Sequence, residues 1–92
     1  MRSAILTITN DLGLHARAAA QLVKRVSGYH SRVTLRRIDI DRSVDARSIL
    51  AVLTLAAAKG TILEIIAEGE DEVDVVSTVS ELFGDGFGEN NV

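Results

Sequence analysis

The run Ile62-Leu63-Glu64-Ile65-Ile66-Ala67 is the most apolar stretch of the chain, and it constrains the fold more than any other. Bounded by Lys59-Gly60 before it and Gly69 after it, a run of this kind reads as a strand in the middle of a sheet. Its single charge, Glu64, is expected to face solvent on an open side of that sheet. Further strands flank it in sequence. Arg2 to Thr9 alternates, with Ala4, Leu6 and Ile8 on one face, Ser3, Thr7 and Thr9 on the other, and Ile5 breaking the pattern. Ser31 to Ile38 carries Val33 and Leu35 inward. After a turn at Asp39-Ile40-Asp41, Arg42 to Asp45 forms a short third strand. The alternating acids and bases of this hairpin suit a solvated edge, which discourages sheet-to-sheet pairing.

Between the strands the apolar period changes to that of a helix. Ala16 to Ser27 shows a stripe of Ala19, Leu22, Val23 and Val26, with Lys24 and Arg25 in its last turn and Gly28 placed for a left-handed cap. Ala46 to Ala57 is predicted to be a second helix from Ile49, Val52, Leu53 and Ala56, with Asp45 as its cap or first-turn acid. Glu70-Asp71-Glu72 supplies an acidic first turn for a third, whose Val75, Val76, Val79, Leu82 and Phe83 face the core and which stops at Gly84. The order β-α-β-β-α-β-α is that of an α+β chain. Short connections favour a four-stranded antiparallel sheet with three helices on one face. Residues 1–88 are expected to form a single domain, with Phe87 folded back on the body and 89–92 a disordered tail.

Composition narrows the function. Aromatics are limited to Tyr29, Phe83 and Phe87, so platforms for stacking bases are poorly supported. Without cysteine, and with only His15 and His30, neither a disulfide nor a thiolate- or histidine-rich metal site is expected. His30, with no partnering motif, is expected on the surface. No run approaches the roughly 18 apolar residues of a membrane span, and a signal-peptide pattern is absent, so a cytoplasmic protein is expected. Charge is uneven: residues 1–47 hold nine Lys/Arg against four Asp/Glu, and residues 48–92 hold one against nine. The basic half suits acidic protein partners. Arg36 and Arg37, lacking a wider basic stripe, fit a solvated edge better than nucleic acid.

Within the basic half lies Gly13-Leu14-His15-Ala16-Arg17-Ala18, a turn running into an alanine-rich helix. Helix N-termini present unpaired backbone N–H groups and a partial positive charge. A histidine there, with an arginine two residues on, suits a group that must carry an anion such as phosphate. A plain helix-start histidine with an exposed arginine is the bland alternative.

Gly13-Leu14-His15-Ala16-Arg17 closely resembles the active-site motif of the HPr family, the histidine phosphocarriers of the bacterial phosphoenolpyruvate phosphotransferase system. The likeness runs from about Ala4 to Phe87 and takes in Ser48, Lys59-Gly60 and Ala67-Glu68-Gly69-Glu70-Asp71-Glu72. Ala58-Lys59-Gly60 and the ending Leu82-Phe83-Gly84-Asp85-Gly86-Phe87 look more like NPr, the nitrogen-branch member. Ser48-Ile49-Leu50 is also compatible with the sugar-transport branch. The resemblance implies an HPr-like open-faced β-sandwich acting as a monomer, with no cofactor, metal or turnover of its own. It implies that His15 takes a phosphoryl group on Nδ1 (a pros-phosphohistidine) from Enzyme I and passes it to a histidine of an EIIA protein. Arg17 would pair with the phosphate, and the backbone N–H groups of Ala16 and Arg17 would point at it. Ala20, Lys24, Arg47, Ile49 and Leu50 would form the partner-binding patch, with one of Ile49 and Leu50 buried and the other exposed. Ser48 matches the position that an HPr kinase/phosphorylase modifies in some members. A regulatory module, signalling by phosphorylation-dependent binding, is the alternative. The family usually has proline where Ala18 stands, which implies a slightly looser first turn with retained chemistry.

Overall fold

Four strands and three helices follow in the expected order: β1 (Arg2–Thr7), α1 (Ala16–Ser27), β2 (Arg32–Arg37), β3 (Arg42–Asp45), α2 (Ile49–Leu53), β4 (Ile62–Glu68) and α3 (Glu72–Gly84). They are seen in a computed structural model that describes residues 1–89. The sheet order is β1-β4-β2-β3, antiparallel throughout, so the most apolar strand is paired along both edges. Leu6 lies opposite Leu63, and Leu35 opposite Ile65. These four, with Val33 and Ala67, are buried in one core with Leu22 and Val26 of α1 and Val75, Val79 and Phe83 of α3.

The other face of the sheet is open. Ile5, the residue that breaks the alternation of β1, sits there opposite Glu64 and is 61% exposed. Glu64 accepts from Arg36 at 3.0 Å, and Arg36 also meets Asp41 at 2.9 Å. Such solvent-exposed pairs add little stability; their effect is to keep the bare face wet. His30 is exposed, as expected. No helix among the described residues is long and apolar enough to cross a membrane.

Three local expectations fail. The second helix covers Ile49–Leu53 rather than Ala46 to Ala57, and its cap is Ser48, whose Oγ accepts from the N–H of Ala51 at 3.2 Å. Asp45 caps nothing in it; its Oδ1 accepts from the N–H of Arg47 at 2.9 Å. The far end is cut short by Arg37, whose Nη1 donates to the carbonyls of Leu55 (2.8 Å) and Ala56 (3.3 Å), with Ala56 turned to a φ of 48°. Gly28 is right-handed, at φ −78°, because its N–H closes a tight final turn on the carbonyl of Arg25.

After α3 the chain turns through Gly86–Gly88, and Phe87 is buried against Phe83 with ring centroids 4.9 Å apart. Of the stretch expected to be a disordered tail, Glu89 has a defined place, described below; residues 90–92 lie outside the described residues.

Asp71, just before α3, ties that helix to the loop after α1. Its Oδ2 accepts from the N–H of His30 at 2.8 Å, and its Oδ1 from the N–H of Ser31 at 2.9 Å and from the Ser31 hydroxyl. The hydroxyl first, then the two amides, hold its carboxyl down from 3.8 to about 2. A depressed folded-state value stabilises the fold above the unfolded-state value, and that contribution is lost on acidification. The stability gap between the wild type and Asp71→Asn, read from urea midpoints, is therefore expected to be wide at pH 7 and to close between pH 3.8 and about 2.

Candidate functional site

The pairing of β1 with β4 continues past both strands and builds the site. The N–H of Ile8 donates to the carbonyl of Thr61 at 3.0 Å, and the N–H of Gly60 to the carbonyl of Ile8 at 2.8 Å. The chain then turns at Asn10, whose carbonyl accepts from the N–H of Gly13 at 3.2 Å, and Leu14 donates to the carbonyl of Ala57 at 2.9 Å. Leu14 is buried, so the residue that follows it is delivered to the surface at a fixed point.

Gly13 is required in this turn twice over. Its φ is +66°, and a Cβ added there would lie 2.6 Å from the carbonyl oxygen of Ala57 and 2.9 Å from Cα of Ala58. Gly60 has an equally positive φ, +90°, but open space around it.

His15 is the N-cap of α1, in extended conformation at φ −76° and ψ −179°. Its carbonyl accepts from the N–H of Ala19 at 2.8 Å, and its Nδ1 accepts from the N–H of Arg17 at 3.3 Å. The imidazole thus does what a serine or aspartate usually does at a helix start. A nitrogen that accepts carries a lone pair, so in the neutral ring the proton is on Nε2. That nitrogen lies 2.6 Å from Oε2 of Glu89. The other carboxylate oxygen of Glu89 accepts from Nδ2 of Asn10 at 3.1 Å. The His15 hydrogen bond first, then Asn10, and then the charge of Arg17 hold the Glu89 carboxyl below its ordinary range.

Ala16 and Arg17 open the helix, both exposed; the N–H groups of a first turn have no partner within the helix. The Arg17 guanidinium makes no ion pair among the described residues. Ala18, in the place of the usual proline, is completely buried, and its methyl packs into the core.

The remaining predicted residues fall into two groups. Ala20 and Lys24 are exposed on α1, and α2 packs beside that helix. Ile49 and Leu50, at 39% and 77% exposure, are both exposed; the expectation that one would be buried is wrong, since Val52, with Leu53 partly buried beside it, anchors α2. Arg47 belongs elsewhere: its Nη2 donates to the carbonyls of Tyr29 and Ser31, each at 2.7 Å, so it braces a loop rather than joining that surface. Ser48 is half-buried at the cap of α2. Sequence reasoning missed Glu89 and Asn10. A buried asparagine before the Gly13 turn was the available signal for one; for Glu89, 74 residues from His15, there was none.

The geometry is one that a family comparison accounts for. Residues 3–85 match the model of the PTS HPr component phosphorylation site. The chain belongs to the HPr family. It is 46% identical to the phosphocarrier protein HPr of Xylella fastidiosa over 85 residues, covering 92% of this chain and 93% of that one. It is 40% identical to the phosphocarrier protein NPr of Escherichia coli K12 over 83 residues, 90% of this chain and 91% of that one. The crystal structure of HPr-C-His from Thermoanaerobacter tengcongensis superposes with a TM-score of 0.91 at 31% identity, covering 97% and 98% of the two chains. The open-faced sandwich expected for an HPr-family phosphocarrier is the fold observed.

Gly13→Ala is expected to cost about 2 kcal/mol or more, combining left-handed backbone strain with the clash at Ala57. Gly60→Ala incurs the backbone strain alone and should cost about 1 kcal/mol. Parallel urea titrations of the two variants check the difference.

Proposed function

We propose that this HPr-family protein carries a phosphoryl group on Nδ1 of His15, taking it from the phosphohistidine of Enzyme I and giving it to a histidine of an EIIA protein. The observation that carries this assignment is Nδ1 standing as an acceptor at the first turn of α1, where it takes the N–H of Arg17. In the transfer the Nδ1 lone pair attacks phosphorus, the bond from phosphorus to the donor nitrogen breaks, and that electron pair returns to the donor ring. The incoming phosphoryl oxygens meet the amide protons of Ala16 and Arg17 and the guanidinium of Arg17. Phosphoryl transfer asks a protein chiefly for position and charge compensation, and this arrangement offers both without a metal.

A nitrogen-bound phosphate keeps a high transfer potential, so a carrier should hold it only modestly. One exposed arginine and a few amides suit that; a buried clamp of several arginines would trap the group. In this proposal the protein is a cytoplasmic monomer, a substrate of two partners with no turnover of its own. Ala20, Lys24, Ile49 and Leu50, on the neighbouring α1 and α2, form the docking patch in this proposal. A few exposed apolar groups rimmed by a lysine fit contacts that must form and release quickly.

With phosphoenolpyruvate and Enzyme I the protein should gain one acid-labile phosphate, and His15→Ala should gain none; an unchanged yield in that variant overturns the assignment. Arg17→Ala is expected to slow acceptance about tenfold, the scale of one charge-assisted hydrogen bond. Running the relay with each available EIIA identifies the acceptor and the branch.

Ser48 is the regulatory candidate. A phosphate there would stand at the start of α2 next to exposed Ile49 and Leu50, and its charge would obstruct an apolar docking patch. Treatment with an HPr kinase/phosphorylase is expected to add one phosphate seen by mass spectrometry and lost in Ser48→Ala. A shift that survives the substitution places the modification elsewhere.

A further inference from the structure

We propose that Glu89 is a positioning residue for phosphoryl transfer, acting through Nε2 of His15 to keep Nδ1 bare and to balance the charge the ring acquires. The inference rests on His15 being the acceptor and adds a residue outside the motif that marks this family. The contact is short, 2.6 Å from Nε2 to Oε2, and both side chains are mostly shielded from solvent.

The carboxylate is gripped at both oxygens. While Oε2 meets the ring, Oε1 takes a hydrogen from Nδ2 of Asn10 at 3.1 Å. Asn10 is fully buried, and the same nitrogen donates to the carbonyl of Gly13 at 2.8 Å. Its Oδ1 is buried with no partner among the described residues. An orphaned buried acceptor is costly. Flipping the amide would set oxygen against the Gly13 carbonyl and the carboxylate, so these two acceptors dictate how Asn10 stands. The segment that leads into Glu89 is fixed as well, because Phe87, two residues before it, is buried against Phe83.

The electron count shows what such a carboxylate does. A neutral imidazole with its proton on Nε2 attacks phosphorus through Nδ1 and becomes a phosphoimidazolium, with one positive charge on the ring. Without a counter-charge the positive ring gives up its Nε2 proton to water more readily on loading and must then recover it on unloading. With Glu89 at Nε2 the proton stays in place, held between ring and carboxylate, as an aspartate holds the histidine of a serine-protease triad. The two ring nitrogens have different partners: Glu89 meets Nε2, whereas the backbone N–H of Arg17 meets Nδ1, the nitrogen that receives the phosphoryl group.

The test compares the 15N-labelled wild-type chain with Glu89→Gln and Glu89→Asp. In the wild type the neutral ring should give a strongly downfield, slowly exchanging Nε2 proton. In Glu89→Gln that proton should move upfield and exchange faster, kcat for phosphoryl acceptance from Enzyme I should fall about tenfold, and KM should stay within twofold, because the docking patch is untouched. Glu89→Asp, which keeps the charge on a shorter arm, should fall between the two. An unchanged ring proton together with an unchanged kcat in Glu89→Gln overturns the role of Glu89 alone. Full phosphorylation of His15→Ala would instead overturn the acceptor assignment, whatever the ring spectra of the Glu89 variants show.

Discussion

The pairing of β4 along both of its edges is the constraint on which the rest of this molecule depends. A strand with Leu63, Ile65 and Ala67 on one face must bury that face, so all three helices gather on a single side of the sheet. The ladder between β1 and β4 does not stop where the strands do. It runs on through Ile8, Gly60 and Thr61 until Leu14 is tied to Ala57, and the next residue is His15. The position of the ring is thus set by sheet register. A slip of one residue between β1 and β4 would turn every side chain of β1 to the wrong face and displace the histidine with it.

The chemistry of a phosphoryl carrier explains why so rigid a support ends in so open a site. Its loaded and empty forms must interconvert through contact with two partners, so tight binding of the group would defeat it. The neutral ring accepts one long hydrogen bond at Nδ1, 3.3 Å from the Arg17 nitrogen, and the arginine head itself is free of ion pairs among the described residues. What is tightly held lies behind the ring, in the buried Asn10 and the shielded Glu89. Firm placement at the back and weak retention at the front are compatible because they act on different nitrogens.

The strands, α1 and α3 were legible in the sequence because their periodicity is local: β3 and the inward residues of α3 are found where the pattern put them. The motif around His15 was legible for the same reason, as a turn glycine, a cap and a helix start within six residues. The larger misjudged features are those that distant partners decide. The helical pattern of 46–57 is genuine, yet Arg37 takes the carbonyls of Leu55 and Ala56 and the helix ends early. Arg47 looked like part of a basic surface until the carbonyls of Tyr29 and Ser31 were found to occupy it. Glu89, placed by Phe87 docking on Phe83, sat in a Gly- and Asn-rich ending whose local signal is that of a loose tail.

The use of His15 as the cap of its own helix has a thermodynamic consequence. In the proposed transfer, an Nδ1 bonded to phosphorus would no longer accept from Arg17, and a phosphoryl oxygen would take its place as acceptor at the same helix start. One cap is exchanged for another, so the helix is satisfied whether the carrier is loaded or empty. Little folding energy is then tied to either form. On the proposed route, little of the free energy of the phosphoryl bond is then spent on remaking the start of the helix that conveys it.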